Sequence, residues 1–306
     1  MKKKILIIGG TGFIGSSLIN FFKKKKMFSI TSISSKKIKK NIKFLKVKYL
    51  VCDISKKKEI EKKLKGLNFD YIINLAGYVD HKNKIKTYKS HFIGLRNISN
   101  YFLKKEIKKF VQIGSSLEYG KSKTPHKENI FVNKKTLKST YSYSKYLATE
   151  HLLKIYKKNK FPVTIFRLYL VYGPGQATNR IIPIVINNCL KNLSFDTSSG
   201  KQIRDFIFID DLIEIIYRSL KIKKSLGQIY NVGSGEPIQI KKLINMIKNK
   251  VGTGNPLFGK IPLRKDEQIK IYPSINKIKK HFNFTAKYSI KKGLEKTIRY
   301  YKNSER

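Results

Sequence analysis

Tyr141 and Lys145 stand four residues apart in the run Tyr141-Ser142-Tyr143-Ser144-Lys145. On a helix that spacing puts both side chains on one face. An ammonium beside a phenol favours the phenolate and eases proton transfer near neutral pH. Such a pair suits a reaction in which a hydroxyl proton and a hydride move together. The spacing alone says little, because it recurs at Tyr78/Lys82, Tyr101/Lys105, Tyr119/Lys123, Tyr156/Lys160, Tyr217/Lys221 and Tyr288/Lys292. Context selects Tyr141. It opens a predicted helix and follows a predicted strand that ends in Gly114-Ser115-Ser116. A serine at that strand end is placed to hydrogen-bond the reacting oxygen, or simply to cap the turn.

The second chemical signal is near the N-terminus. The apolar run 5–8 leads into Gly9-Gly10-Thr11-Gly12-Phe13-Ile14-Gly15. Glycines 10, 12 and 15 fit GxGxxG, and glycines 9, 12 and 15 fit GxxGxxG. A strand that enters a helix through such a turn brings bare backbone and free helix N–H groups against a pyrophosphate. The expected ligand is a dinucleotide, NAD or NADP. An acid at the end of the second strand would hold the adenosine ribose, but Ser32, Ser34, Ser35, Lys36 and Lys37 stand there. Ser34 and Lys36 favour a 2′-phosphate, hence NADP. Asp53 either meets the adenine amino group or caps the next helix. Phe13, Ile14, Ile54, Leu75 and Ala76 complete the expected cofactor-binding set.

These groups need a scaffold. Short apolar strands are predicted at 5–8, 29–34, 48–52, 71–75, 110–114 and 163–168. Helices are predicted at 13–22, 59–67, 90–105 and 141–158. Their alternation predicts an α/β fold with a doubly wound parallel (Rossmann) sheet. The less regular second half has helices near 183–193, 211–220 and 240–251. It reads as a smaller, partly interleaved C-terminal substrate domain. The expected division is 1–172, with returning segments near 204–235, and 173–306.

In order along the chain, GGTGFIG, then residues 113–120 (IGSSLEYG), then YSYSK resemble the extended short-chain dehydrogenase/reductase family of NAD-dependent epimerases and dehydratases. The likeness continues in residues 167–176 (RLYLVYGPGQ), 204–212 (RDFIFIDDL), 230–235 (YNVGSG) and Arg264-Lys265-Asp266. The resemblance implies a nucleotide-diphosphate sugar as substrate, a homodimer, and a role in envelope or surface-polysaccharide synthesis; the two unpaired cysteines fit a reducing, cytoplasmic setting. It implies that Ser115, Tyr141 and Lys145 are catalytic. Tyr141 and Lys145 would also touch the cofactor. Ser116, Asn179, Arg204 and Arg264 would bind substrate, the arginines gripping the diphosphate. Departures are also expected to matter. Leu117 stands where dehydratases carry a glutamate, which disfavours dehydration. Glu118, if the strand continues, points to the opposite face. His91, Leu170 and Phe208 replace a usual Asn, Asn, and His or Val.

Composition narrows the alternatives. With 306 residues, 41% of them hydrophobic, the chain can bury a large core. Cys52 and Cys189 offer no disulfide framework, and histidines 81, 91, 126, 151 and 281 have no metal-ligand spacing. No apolar run reaches membrane-spanning length. The formal charge of +48 invites a second reading, a non-catalytic protein that binds nucleic acid or another polyanion. The lysines are spread along the whole chain, Arg is scarce, and the Tyr–Lys pair persists, so the enzyme is favoured.

Overall fold

The computed structural model describes residues 2–38, 44–78, 80, 82–264 and 266–304. His81 and Lys265 lie outside the described residues. The strands are β1 (Lys3–Ile8), β2 (Phe28–Ser34), β3 (Val47–Val51), β4 (Tyr71–Asn74), β5 (Lys109–Ser115), β6 (Val163–Leu168), β7 (Leu170–Tyr172), β8 (Ser194–Thr197), β9 (Ile203–Arg204), β10 (Phe206–Phe208), β11 (Gln228–Val232), β12 (Ile238–Gln239), β13 (Asn255–Phe258) and β14 (Lys270–Ile271). The helices are α1 (Phe13–Lys25), α2 (Lys57–Leu64), α3 (Lys84–Tyr88), α4 (Gly94–Leu103), α5 (Thr140–Asn159), α6 (Ile181–Leu190), α7 (Ile209–Ser219), α8 (Ile240–Val251), α9 (Asn276–Phe282) and α10 (Ile290–Ser304).

Contacts divide the chain into two units. The first contains Met1–Ser122, Glu128–Arg167 and Ile213–Tyr230. It is built on a seven-stranded sheet of order β11-β6-β5-β4-β1-β2-β3. Strands β3, β2, β1, β4 and β5 pair in parallel. Helices cover both faces of such a sheet, so its strands read as unbroken apolar runs. Ile5, Leu6, Ile7 and Ile8 are accordingly all buried. The strand order reverses between β1 and β4. Ligands of open α/β sheets bind beyond the strand ends at that reversal. The turns that leave β1 and β4 there are Gly9–Gly12 and Leu75–Ala76.

The sheet's far side carries a buried cation. Lys109, the first residue of β5, donates from Nζ to the carbonyls of Ser219 (2.6 Å) and Ile222 (2.7 Å) and to Ser225 Oγ (2.7 Å). These groups lie at the C-terminal end of α7 and just after it, where backbone carbonyls lack helical partners. Burial lowers the Lys109 pKa to about 8.

The second unit contains Lys123–Lys127, Leu168–Leu212 and Asn231–Arg306. Residues 123–127, 168–172, 204–212 and 231–235, expected with the first unit, group with the second, where β7 pairs in parallel with β10. Three small sheets (β7 with β10, β8 with β13, and β12-β9-β14) accompany the mutually packed α6, α8 and α10. No helix among the described residues is long and apolar enough to cross a membrane.

Candidate active site

Helix α5 starts where it does because Ser139 caps it: Ser139 Oγ accepts the Ser142 N–H at 3.0 Å. Tyr141 therefore sits in the first turn and Lys145 in the second. The Lys145 Nζ lies 6.0 Å from the Tyr141 ring centroid. It donates to the carbonyl oxygen of Ile113 at 2.7 Å, two residues before Ser115. Lys145 is buried, and desolvation lowers its pKa to about 8 against an opposing pull from Glu118. Ile113 O also accepts Gln112 Nε2 at 2.8 Å, and Gln112 Oε1 accepts Asn74 Nδ2 at 2.8 Å. The anchor of Lys145 is thus tied to the end of β4. Asn74 and Gln112 went unread in the sequence because each sits inside an apolar strand pattern.

Strand β5 ends at Ser115, and the chain turns at once into a 3₁₀ turn over Ser116–Tyr119. Ser115 Oγ accepts the Leu117 N–H at 3.2 Å. Ser116 is half-buried and Leu117 is exposed. The turn replaces the extended strand expected at Glu118. While Leu117 is exposed, Glu118 is fully buried. Its Oε1 accepts the Ser115 N–H at 2.7 Å. Its Oε2 accepts Thr149 Oγ1 at 2.7 Å and Arg167 Nε at 2.9 Å. Gly114 makes room for it: a Cβ there would lie 2.5 Å from Glu118 Oε1. The Arg167 guanidinium lies 4.4 Å from the centroid of the Tyr119 ring. Burial alone would lower the Arg167 pKa, but the charge of Glu118 and contact with Tyr119 leave it raised.

His91 also neighbours Tyr141. Between α3 and α4 the helix widens into a π turn over Lys89–Ile93. Such turns cluster at functional sites. This one carries the buried His91 ring edge-on to Tyr141, with centroids 4.9 Å apart. His91 Nε2 is 3.2 Å from the Tyr78 carbonyl oxygen. Gly77 permits this fit, since a Cβ there would come within 2.5 Å of His91 Cε1.

The glycine turn has the form an anion cradle needs. Gly9 has φ +82°, in the left-handed region, and its carbonyl accepts the Gly12 N–H at 3.1 Å. Gly15 crosses directly over this turn: a Cβ on it would strike Gly9 O and lie 2.5 Å from Gly10 Cα. Gly12 differs. A Cβ there would meet nothing nearer than Gly9 O at 3.5 Å. Gly12 is the N-cap of α1, whose first turn holds no acid and receives no side-chain cap. Its N–H groups and the positive end of the helix remain for an external anion. Phe13 and Ile14 open this helix. The residues present fit a dinucleotide pyrophosphate.

Around the expected adenosine end the details differ from the sequence expectation. Ser34 Oγ donates to the Lys36 carbonyl at 2.6 Å, and Lys36 is exposed. Asp53 does not cap α2, whose N-cap is Lys56. The Asp53 Oδ1 instead accepts the Ser55 N–H at 2.9 Å, and its own N–H donates to Glu59 Oε2 at 2.8 Å. Ile54 is buried beside Gly94. Leu75 donates its N–H to Ile8 O at 2.9 Å, and Ala76 donates to Asn74 Oδ1 at 3.2 Å.

Asn179, Arg204 and Arg264 belong to the second unit. Asn179 and Arg264 are exposed. Arg204, expected to grip a diphosphate, already has partners within the protein. Its Nη1 donates to the carbonyls of Ile203 (2.9 Å) and Ile269 (3.0 Å), and its Nη2 to Gln268 O at 2.8 Å and to Glu267 Oε1. Tucked in beside β9 and β14, the guanidinium is satisfied by its own loop. A phosphate there has to compete with Glu267.

Residues 5–233 match the NAD dependent epimerase/dehydratase family. The chain belongs to that family. It is 32% identical over 270 residues to a dTDP-D-glucose 4,6-dehydratase from Dictyostelium discoideum, with 80% of this chain and 62% of that protein covered. It is 28% identical over 321 residues to a CDP-abequose synthase from Salmonella typhimurium, with 98% of both chains covered. Among solved structures, a UDP-glucuronic acid 4-epimerase from Bacillus cereus, in complex with UDP-glucuronic acid and NAD, superposes with a TM-score of 0.84 at 22% identity. That superposition covers 98% of this chain and 99% of the other, and at such identity it speaks for the fold. The family's names thus embrace epimerases, dehydratases and sugar-nucleotide synthases.

Proposed function

We propose that the protein is an NAD(P)-dependent nucleotide-sugar epimerase or 4-keto-sugar reductase. The observation that carries this reading is the anchoring of Lys145 to Ile113 O, 2.7 Å away, on the helix that also presents Tyr141. A bound NAD or NADP would supply a hydride acceptor or donor for C4 of the sugar. Gly9, Gly12 and Gly15 would admit its pyrophosphate to the N-terminus of α1. The turn after β2, with Ser34 and Lys36, favours the 2′-phosphorylated form.

Within this reading Tyr141 takes the 4-hydroxyl proton during oxidation and returns it during reduction. The Lys145 ammonium lowers the cost of the phenolate. Ser115 aligns the sugar oxygen. Ser116, Asn179, Arg204 and Arg264 would meet the rest of the nucleotide sugar, Arg204 only after Glu267 yields. Dehydration additionally needs a group that moves a proton at C5. Leu117 has no ionisable atom, and Glu118 is buried against Arg167 and unavailable to a sugar. This speaks against the dehydratase reaction named for one relative.

The test is mass spectrometry of dinucleotide released from protein purified without added cofactor, with subsequent assays on UDP-, dTDP- and CDP-sugars and their 4-keto forms. Bound NAD with C4 epimerisation, or NADPH-dependent reduction, is expected. Loss of water from C5–C6 of a dTDP- or CDP-hexose as the main reaction overturns the reading.

A further inference from the structure

We propose that Glu118 is a positioning residue of the hydride-transfer site, one carboxylate that ties the strand end bearing Ser115 to the helix bearing Tyr141 and Lys145. The inference rests on the function proposed above and extends it to a residue outside the family's catalytic set.

The geometry has three parts. Glu118 Oε1 takes the Ser115 N–H at 2.7 Å, which fixes the last residue of β5. Glu118 Oε2 takes the Thr149 hydroxyl at 2.7 Å. Thr149 lies four residues after Lys145 and eight after Tyr141, on the same stripe of α5. Arg167 on β6 holds the same oxygen at 2.9 Å, so the carboxylate has a charged partner in place of solvent. A shift of the 3₁₀ turn would therefore move Ser115 relative to Tyr141, where a displacement near 1 Å costs about a hundredfold in rate.

The second consequence is electrostatic. Among the described residues, Tyr141 on its own helix lies beside Lys145, and Glu118 on the turn after β5 acts on it electrostatically. His91 on the π turn abuts Tyr141. Glu118 pulls the Lys145 pKa up against the larger lowering by desolvation.

Two variants of the full chain test this. Glu118→Gln strands the buried Arg167 charge and can cost the fold, so Thr149→Val serves as the second. Thr149→Val keeps the carboxylate and removes only the tether to α5. It is expected to lower kcat by roughly five- to twentyfold with KM within about twofold, as loss of alignment dictates. A lower melting temperature with unchanged kcat reduces the cluster to a structural role and overturns the proposal. The second readout needs no turnover: titration of ¹³Cε-lysine NMR signals, with Lys145→Met assigning the resonance. In folded Glu118→Gln the Lys145 midpoint is expected to fall by about half a pH unit or more, as loss of a nearby negative charge requires. An unmoved midpoint overturns the electrostatic part. Should the wild-type protein turn over no nucleotide sugar, the functional reading fails by itself, and the lysine titration still decides whether Glu118 supports Lys145.

Discussion

Lys145 reaches past its own helix to the carbonyl oxygen of Ile113, 2.7 Å from its Nζ, and thereby fixes α5 against the end of β5. Ser115 stands two residues further along the same strand. Tyr141, Lys145 and Ser115 are so carried on two elements that this bond joins.

Tyr141→Phe removes the phenol and leaves the ring packed on His91. Dinucleotide affinity should stay within about twofold, while kcat falls by about 10²- to 10⁴-fold, the usual worth of a general acid or base. Cofactor fluorescence titration beside steady-state kinetics on the identified sugar would check both halves. Retained turnover would remove Tyr141 from the mechanism.

Two glycines in one turn should behave oppositely. Gly15→Ala places a methyl against Gly10 Cα, 2.5 Å away in the present backbone, and should destabilise the fold by about 1–3 kcal/mol. Gly12→Ala meets only Gly9 O at 3.5 Å, so its melting temperature should stay close to that of the wild type. Its methyl stands at the helix terminus offered to the pyrophosphate, so its dinucleotide Kd should rise at least tenfold. Thermal melts and cofactor titrations of both variants separate the two roles.

Lys109 should make stability depend on alkaline pH. Burial holds its pKa near 8, against about 10.4 in an unfolded chain. Between those values the unfolded state binds more protons, so this lysine makes stability rise as pH increases from about 8. Below about 8 it is charged in both states and its contribution is flat. Lys145 acts in the same direction. Cys52, pushed up to about 11 by burial, acts oppositely once its unfolded thiol ionises. The difference between wild type and Lys109→Met isolates the lysine. Urea midpoints from pH 7.5 to 9.5 should show the wild type gaining on the order of 1–2 kcal/mol relative to the variant.

Glu267→Gln should loosen the hold on Arg204 while keeping a neutral hydrogen-bonding side chain. If the guanidinium serves a diphosphate, UDP should bind about tenfold more tightly, equivalent to ~1.4 kcal/mol. Calorimetric titration with UDP reads this directly. Unchanged affinity would leave Arg204 as a tie between β9 and the loop before β14.

The sheet was legible because buried parallel strands are largely apolar: 5–8 is an unbroken apolar run, and 71–74 and 163–168 are mostly apolar. Tyr141 and Lys145 were legible through their place at a helix start and the Gly114-Ser115-Ser116 strand end before them, which chose one pair from several with equal spacing. The backbone at Glu118 was misread for a definite reason. The alternation rule for strands was carried past Ser115, where the backbone has already turned. The Arg204–Glu267 pair was hidden because it joins side chains 63 residues apart. The division at Arg167 depends likewise on the pairing of β7 with β10, which no local pattern announces.

The π turn at Lys89–Ile93 sets the rotation of the next helix. One extra residue in a helical turn rotates every later side chain by about 100° around the axis. Downstream, α4 turns Leu95, Ile98 and Phe102 into the core and brings Asn97 Nδ2 within 2.9 Å of Ser55 O and 3.2 Å of Ile54 O. Deleting a single residue from this turn would restore a regular helix yet dial that whole face away from its partners. The bulge that seats His91 beside Tyr141 therefore also keys the outer helix to the segment after β3, so that this stretch of chain tolerates substitution far better than a change of length.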